Sequence, residues 1–231
     1  MAHVIPFHGT LYNPATVGDV RQVVAPPYDI IDATLQKTLH DRHPNNVIRL
    51  ELGYEQPGDT TGDNKYLRAA GALKEWLKSG ALRRDDKPAI YYHTIEYQPP
   101  YSAPGTPTKV FKGFLSTVEL EEFGSGKIYP HENTRAAAKT DRFNLLEACR
   151  ANFSAIISLY SDPQNDVLTL IERSIASDKP RIDFQDDVGF RQRLWSVTDP
   201  AVLAKVVEVM HADRLFIADG HHRYETALNY R

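Results

Sequence analysis

Near the end of the sequence the apolar run Arg214-Leu-Phe-Ile-Ala218 leads straight into Asp219, Gly220, His221, His222 and Arg223, followed by Tyr224-Glu-Thr-Ala-Leu-Asn-Tyr230. The order predicts a strand, a glycine turn and a helix. The first N–H groups of a helix have no intrahelical partner and its dipole presents partial positive charge, so such a turn is suited to an anion. Gly220 permits an unusual backbone angle and a close ligand approach, and Arg223 offers a planar fork of donors that matches phosphate oxygens. The chemistry this predicts is phosphate binding. The plainer alternative is that Asp219 caps the helix, Gly220 makes the turn and the histidines are solvated.

A second group, Tyr129-Pro-His-Glu-Asn-Thr134, precedes a helix that bears Lys139, Asp141 and Arg142. Transfer of a phosphoryl group to a small alcohol needs a carboxylate or imidazole at the hydroxyl proton and cations on the transferred group. Glu132 is the candidate base, with His131 as a further acid/base or substrate-binding group and Lys139 or Arg142 as charge partners. The alternative is that Asn133 or Thr134 caps the helix among solvated charges. Asp29, after Pro26-Pro27-Tyr28, is read as a helix cap or as a ligand for Mg²⁺ or a substrate ammonium. His40 and His43 lack an evident third metal ligand, whereas His131, Asp219, His221 and His222 form a metal set if folding unites them. The one cysteine, Cys149, reads as a small residue on a helix face. Neither a Walker loop nor a dinucleotide-type glycine repeat is present.

The run Ile217-Ala-Asp-Gly-His-His-Arg-Tyr-Glu-Thr-Ala-Leu228 resembles the signature of the domain-of-unknown-function family 1015. Ala25-Pro-Pro-Tyr-Asp-Ile-Ile31, His43-Pro-Asn-Asn-Val-Ile-Arg49, Tyr129-Pro-His-Glu-Asn-Thr134 and Leu194-Trp-Ser-Val197 extend the resemblance over essentially the whole chain. Over a shorter stretch, Asp219 to Arg223 is similar to the phosphate-binding motif of the ParB/sulfiredoxin superfamily. That group includes partition proteins that bind CTP, sulfiredoxins that use ATP, and kinases that phosphorylate free serine with ADP or ATP. The kinases carry the nearest version of the motif. The likeness implies that Gly220, His221, His222 and Arg223 contact phosphate and that ATP or ADP, or alternatively CTP, is bound with Mg²⁺ at Asp219. Sulfiredoxins place a reactive cysteine in this turn where this chain has histidine, which argues against their chemistry. The resulting expectation is a phosphotransferase with Asp219, His222 and Glu132 in catalytic roles. A non-catalytic nucleotide switch and a metal-dependent hydrolase are the rivals.

The 231 residues are 42% hydrophobic and 25% charged, enough to bury a core as one domain or two small ones. A formal charge of −3 offers no general attraction to nucleic acid, and a single cysteine excludes an intramolecular disulfide framework. No apolar run reaches the roughly 20 residues of a membrane span, and no secretory signal opens the sequence, so a cytoplasmic place is expected. Short strands are expected at Val4–Phe7, Val20–Ala25 and Val47–Leu52, helices up to Arg42 and over Asp63–Ser79, and a long-looped hairpin from Ala89–Tyr97 and Lys109–Val118. Beyond it, helices alternate with short strands. The pattern predicts an α+β fold, a mixed β-sheet with flanking helices and the ParB/sulfiredoxin-like element at the C-terminal end. It is read as one unit over 1–231, with 1–125 and 126–231 as subdomains. The last helix meets no terminating residue before Arg231, and the family is longer, so a C-terminal part of the site is expected to be missing.

Overall fold

The computed structural model describes residues 3–103, 105–132, 134 and 136–231, without the side chains of 136–138. β1 (Val4–Ile5) and β2 (Thr10–Tyr12) precede α1 (Pro14–Val17). Val20–Gln22 and Tyr28–Ile30 are 3-10 turns. The first corrects the strand expected at Val20–Ala25: the Asp19 carboxylate accepts from the Arg21 N–H and closes a turn that the apolar pattern alone does not reveal. Asp32, and not Asp29, caps α2 (Ala33–Arg42), accepting from the Leu35 N–H at 2.8 Å.

α3 (Ile48–Glu51) corrects the second expected strand, at Val47–Leu52. Asn46 Oδ1 accepts from the Ile48 N–H at 3.0 Å and starts a single helical turn in which Ile48, Leu50 and Glu51 are all buried. α4 (Lys65–Ser79) is the expected amphipathic helix, opened by Asn64 and closed by Gly80 at φ 77°. After β3 (Leu82–Arg84), β4 (Ile90–Tyr97) and β5 (Lys109–Leu115) form the expected antiparallel hairpin, with Tyr97 opposite Lys109.

β6 (Thr117–Val118), β7 (Ile128–Tyr129), α5 (Ala136–Cys149), β8 (Ile157–Leu159) and α6 (Asp166–Ser174) follow. β9 (Ile182–Gln185) and β10 (Arg191–Val197) are a second hairpin, of which the apolar pattern gives only Leu194–Val197 because Arg191, Gln192 and Arg193 mask the rest. α7 (Pro200–Ala212), β11 (Leu215–Asp219) and α8 (His221–Tyr230) complete the order. Helices with small, separate sheets make this an α+β fold. Among the described residues no helix is long and apolar enough to cross a membrane.

The chain forms two compact units. One is built from Met1–Gly9, Arg84–Ile128 and Tyr160–Leu215 and centres on the sheet ordered β5-β4-β10-β9. Ile90, Tyr91 and Tyr92 of β4, Val167 and Ile171 of α6, and Val206 and Met210 of α7 are buried there. Each such side chain contributes about 1.5–3 kcal/mol of apolar burial. The Tyr92 hydroxyl donates to Glu172 of α6, and Lys112 of β5 reaches the same carboxylate at 2.6 Å.

The other unit is built from Thr10–Arg83, Tyr129–Leu159 and Phe216–Arg231. In it α8 packs on α5, α5 on α4, α4 on α3 and α3 on α2. Leu39, Ile48, Leu50, Leu145, Ile217 and Tyr224 are among its buried residues. This unit carries both groups of candidate residues.

Candidate functional site

β11 alternates as a half-covered strand should: Leu215 and Ile217 are buried, whereas Phe216, Ala218 and Asp219 face outward. The strand stops at Gly220, which takes φ 96° and ψ 28° and opens α8 with no side chain capping it. The first bond of the helical ladder runs from Tyr224 N–H to the Gly220 carbonyl at 3.0 Å, so the N–H groups of 221–223 precede the ladder. Arg223 folds back over this turn. Its guanidinium donates to Asp219 and to the carbonyl of Ala155, and a Cβ at Gly220 would lie 3.0 Å from its Cζ, Nε and Nη2 atoms. Glycine is thus required both by the left-handed backbone and by the cation lying on it.

His221 points inward and is 1% exposed. Its Nε2 accepts from the main-chain N–H of His131 at 3.2 Å, and its Nδ1 lies 3.1 Å from Glu132 Oε1 without the alignment of a full hydrogen bond. The His131 ring stands edge-on to it, centroids 4.5 Å apart at 85°, with Nδ1 2.6 Å from the carbonyl oxygen of Ile217. The two groups singled out in the sequence therefore meet through His131, Glu132 and His221. His222 lies on the same first helical turn, and its charge acts on Glu225.

Lys139 of α5 and Thr134 both hold Glu225 of α8, at 2.7 and 2.5 Å. Partial burial works to raise the Glu225 carboxyl, but these two hydrogen bonds outweigh it and keep the group below the ordinary carboxylate range. The Asn133 cap considered for α5 lies outside the described residues.

Arg142, expected as a charge partner at the phosphate, is instead 7% exposed and committed to other groups. It donates to Glu51 Oε1 at 2.9 Å, to the Glu51 carbonyl at 3.0 Å and to Asp141, and its guanidinium lies 4.1 Å above the Tyr28 ring. Ser154 donates to the same Glu51 oxygen at 2.7 Å. Burial works to raise Asp141, yet Lys65, Arg142 and Tyr66 hold it low. Burial pushes the Tyr28 hydroxyl up against the opposing charges of Arg142 and Arg223, which places the Pro-Pro-Tyr-Asp turn within the field of both cations. Asp29 is exposed beside Tyr28. A small, shallow pocket of about 30 Å³ lies beside Arg223, lined by Glu51, Arg142, Phe153, Ser154 and Thr226. The Thr226 hydroxyl is buried without a hydrogen-bond partner.

Among the described residues, no three His, Cys, Asp or Glu side chains are grouped as a metal ion would require. His40 is instead buried against the Tyr54 ring at 4.0 Å, and His43 Nδ1 accepts from the Asn45 N–H. Burial, with Glu51 nearby, pushes the Cys149 thiol up to about 11, which fits its reading as an inert helix residue.

A family model described as "Protein of unknown function (DUF1015)" matches residues 4–231. The chain belongs to the DUF1015 family. No curated protein and no solved structure matches it. In this DUF1015 member the residues that sequence reasoning missed are Glu51, Ser154, Thr226 and the Ala155 carbonyl. Glu51 shares the polar phase of the alternation Val47–Leu52 with Arg49, where a strand would turn it to solvent, so the pattern gives no sign of its burial. A main-chain carbonyl leaves no mark in a sequence.

Proposed function

We propose that this chain binds the phosphate groups of a nucleotide at the Asp219–Arg223 turn and acts as a kinase-type phosphotransferase on a small hydroxylated metabolite. ATP or ADP is the expected nucleotide, with CTP as the alternative. The observation that carries the reading is the start of α8 at Gly220, a left-handed glycine with no side chain of its own to cap the helix and overlain by the Arg223 guanidinium. A phosphate there would meet the N–H groups of 221–223, the positive end of the helix and a guanidinium whose present partners are a half-exposed carboxylate and a carbonyl. The likeness of Gly220–Arg223 to the ParB/sulfiredoxin phosphate turn supports the same reading.

His222 lies on the same first helical turn, and Lys139, paired with Glu225 of α8, is the nearby cation of α5. Asp219, once released from Arg223, offers Mg²⁺ one carboxylate. That suffices for an ion that takes one or two carboxylates and completes its shell with phosphate oxygens and water. His131 and Glu132 supply groups able to accept a proton.

Calorimetric titration with ATP, ADP and CTP, with and without Mg²⁺, tests the proposal beside Arg223→Ala. The variant should bind about 10- to 100-fold more weakly, the effect of losing charge-assisted hydrogen bonds worth about 1.5–3 kcal/mol. Absence of nucleotide binding by the wild type would overturn the proposal, and binding without any phosphorylated product would favour a nucleotide switch over a kinase.

A further inference from the structure

We infer that His131, rather than Glu132, takes the proton from the acceptor, through Nε2, and that the acceptor presents a hydroxyl or amine to that atom. The inference rests on the phosphate reading above. His131 Nδ1 lies 2.6 Å from the Ile217 carbonyl oxygen. A carbonyl only accepts, so Nδ1 carries the hydrogen, and in the neutral ring Nε2 is then a bare acceptor. The His131 residue is exposed.

Three contacts fix the ring: the Ile217 carbonyl, the edge-on packing against His221, and the bond from its own main-chain N–H to His221 Nε2. The same logic assigns His221. Its Nε2 receives an N–H and is bare, so its hydrogen sits on Nδ1, facing Glu132 Oε1 at 3.1 Å. Glu132, its side chain 52% exposed, has one oxygen beside that buried N–H without an aligned hydrogen bond, whereas the His131 ring is held by its Nδ1 with Nε2 left as the acceptor. His221 acts as a positioning residue for both.

An imidazole held through Nδ1–H by a carbonyl, with Nε2 outward, is arranged to act as a general base. It also selects its partner. A lone pair repels a phosphate oxygen, so the group that meets Nε2 must donate a hydrogen, as a hydroxyl or an amine does. Ile217 lies on the strand that runs into the phosphate turn, two residues before Asp219, which ties this base to the anion site. In the reaction, the acceptor hydroxyl gives its proton to Nε2 while its oxygen bonds to the nucleotide's terminal phosphorus. The bond from that phosphorus to the bridging oxygen breaks, the shortened nucleotide leaves with the electron pair, and His131 returns its proton to water.

The test uses the full chain labelled with ¹⁵N-histidine, together with His131→Gln, an exposed substitution expected to fold. Long-range ¹H–¹⁵N spectra should show His131 with hydrogen on Nδ1 and Nε2 bare, and diethyl pyrocarbonate should modify His131 well before His221. Calorimetry should find ADP affinity unchanged in His131→Gln. With ATP and a panel of small hydroxylated compounds, product formation by that variant should fall by about 100-fold or more, the contribution of a positioned general base. Hydrogen on Nε2, or loss of ADP binding in His131→Gln while the wild type binds, would overturn this inference and leave the phosphate reading standing. Failure of the wild type to bind ADP would overturn the phosphate reading, and this inference with it.

Discussion

Replacing Gly220 with alanine tests whether the turn and Arg223 are built as one piece. A non-glycine residue in a left-handed conformation costs about 1–2 kcal/mol, and Gly220 sits at φ 96°. The new Cβ would also lie 3.0 Å from three atoms of the guanidinium, so the Arg223 side chain must move off the turn. Moving it breaks the bond to the Ala155 carbonyl, worth about 0.5–1.5 kcal/mol. It also breaks the pair with Asp219, whose side chain is 52% exposed and which is therefore worth about 0–1 kcal/mol. The sum is about 1.5–4.5 kcal/mol.

Gly80→Ala is the control in the same unit. Gly80 sits at φ 77° and its nearest contact is Thr16 Oγ1 at 3.9 Å, so only the backbone term of about 1–2 kcal/mol applies. Urea unfolding of both variants, with unchanged m-value, reads the difference. Equal losses for Gly80→Ala and Gly220→Ala would refute the packing of the guanidinium on the turn.

Three further outcomes are expected. Arg142→Leu leaves Glu51, 8% exposed, without its buried cation and still holding the Ser154 hydroxyl. It should cost about 3–5 kcal/mol in urea unfolding, and the Glu51→Leu/Arg142→Leu double variant should cost less than the sum of the two single variants; additive losses would contradict the buried pair. Burial, with help from Arg49, holds His40 below its ordinary range. The folded state therefore takes up its proton later than the unfolded chain, so the stability tied to neutral His40 is present above about pH 6.5 and lost as pH falls. His40→Phe should flatten that acid limb of the stability curve, and an unchanged slope would count against it. Cys149, with its thiol pushed up to about 11, should react with iodoacetamide at pH 8 about 100-fold more slowly than an ordinary cysteine; rapid labelling would contradict its burial.

The strand-turn-helix at the centre of this account was legible because its causes are local. Leu215 and Ile217 alternate with outward residues, Gly220 breaks the strand, and the residues after it suit a helix. The β4–β5 hairpin and α4 were legible for the same reason, through β-rich runs and a helical apolar stripe ended by Gly80. What was not legible depends on contacts distant in sequence or on competing local bonds. Val47–Leu52 has the period of a strand, yet the Asn46 side chain starts a helical turn there. Arg142 was read as a charge partner for phosphate, whereas Glu51, 91 residues away, holds it in the interior. His131 and Glu132 were recognisable as proton-handling types, but their pairing with His221, about ninety residues on, sets which nitrogen is bare, and spacing carries no information about that.

The most direct test is an experimental structure of the chain with ADP and Mg²⁺. The account predicts a phosphate group within hydrogen-bond distance of the main-chain nitrogens of 221–223, with Arg223 turned from Asp219 onto its oxygens. Nucleotide bound elsewhere, with Arg223 still paired to Asp219 and the start of α8 empty, would contradict it.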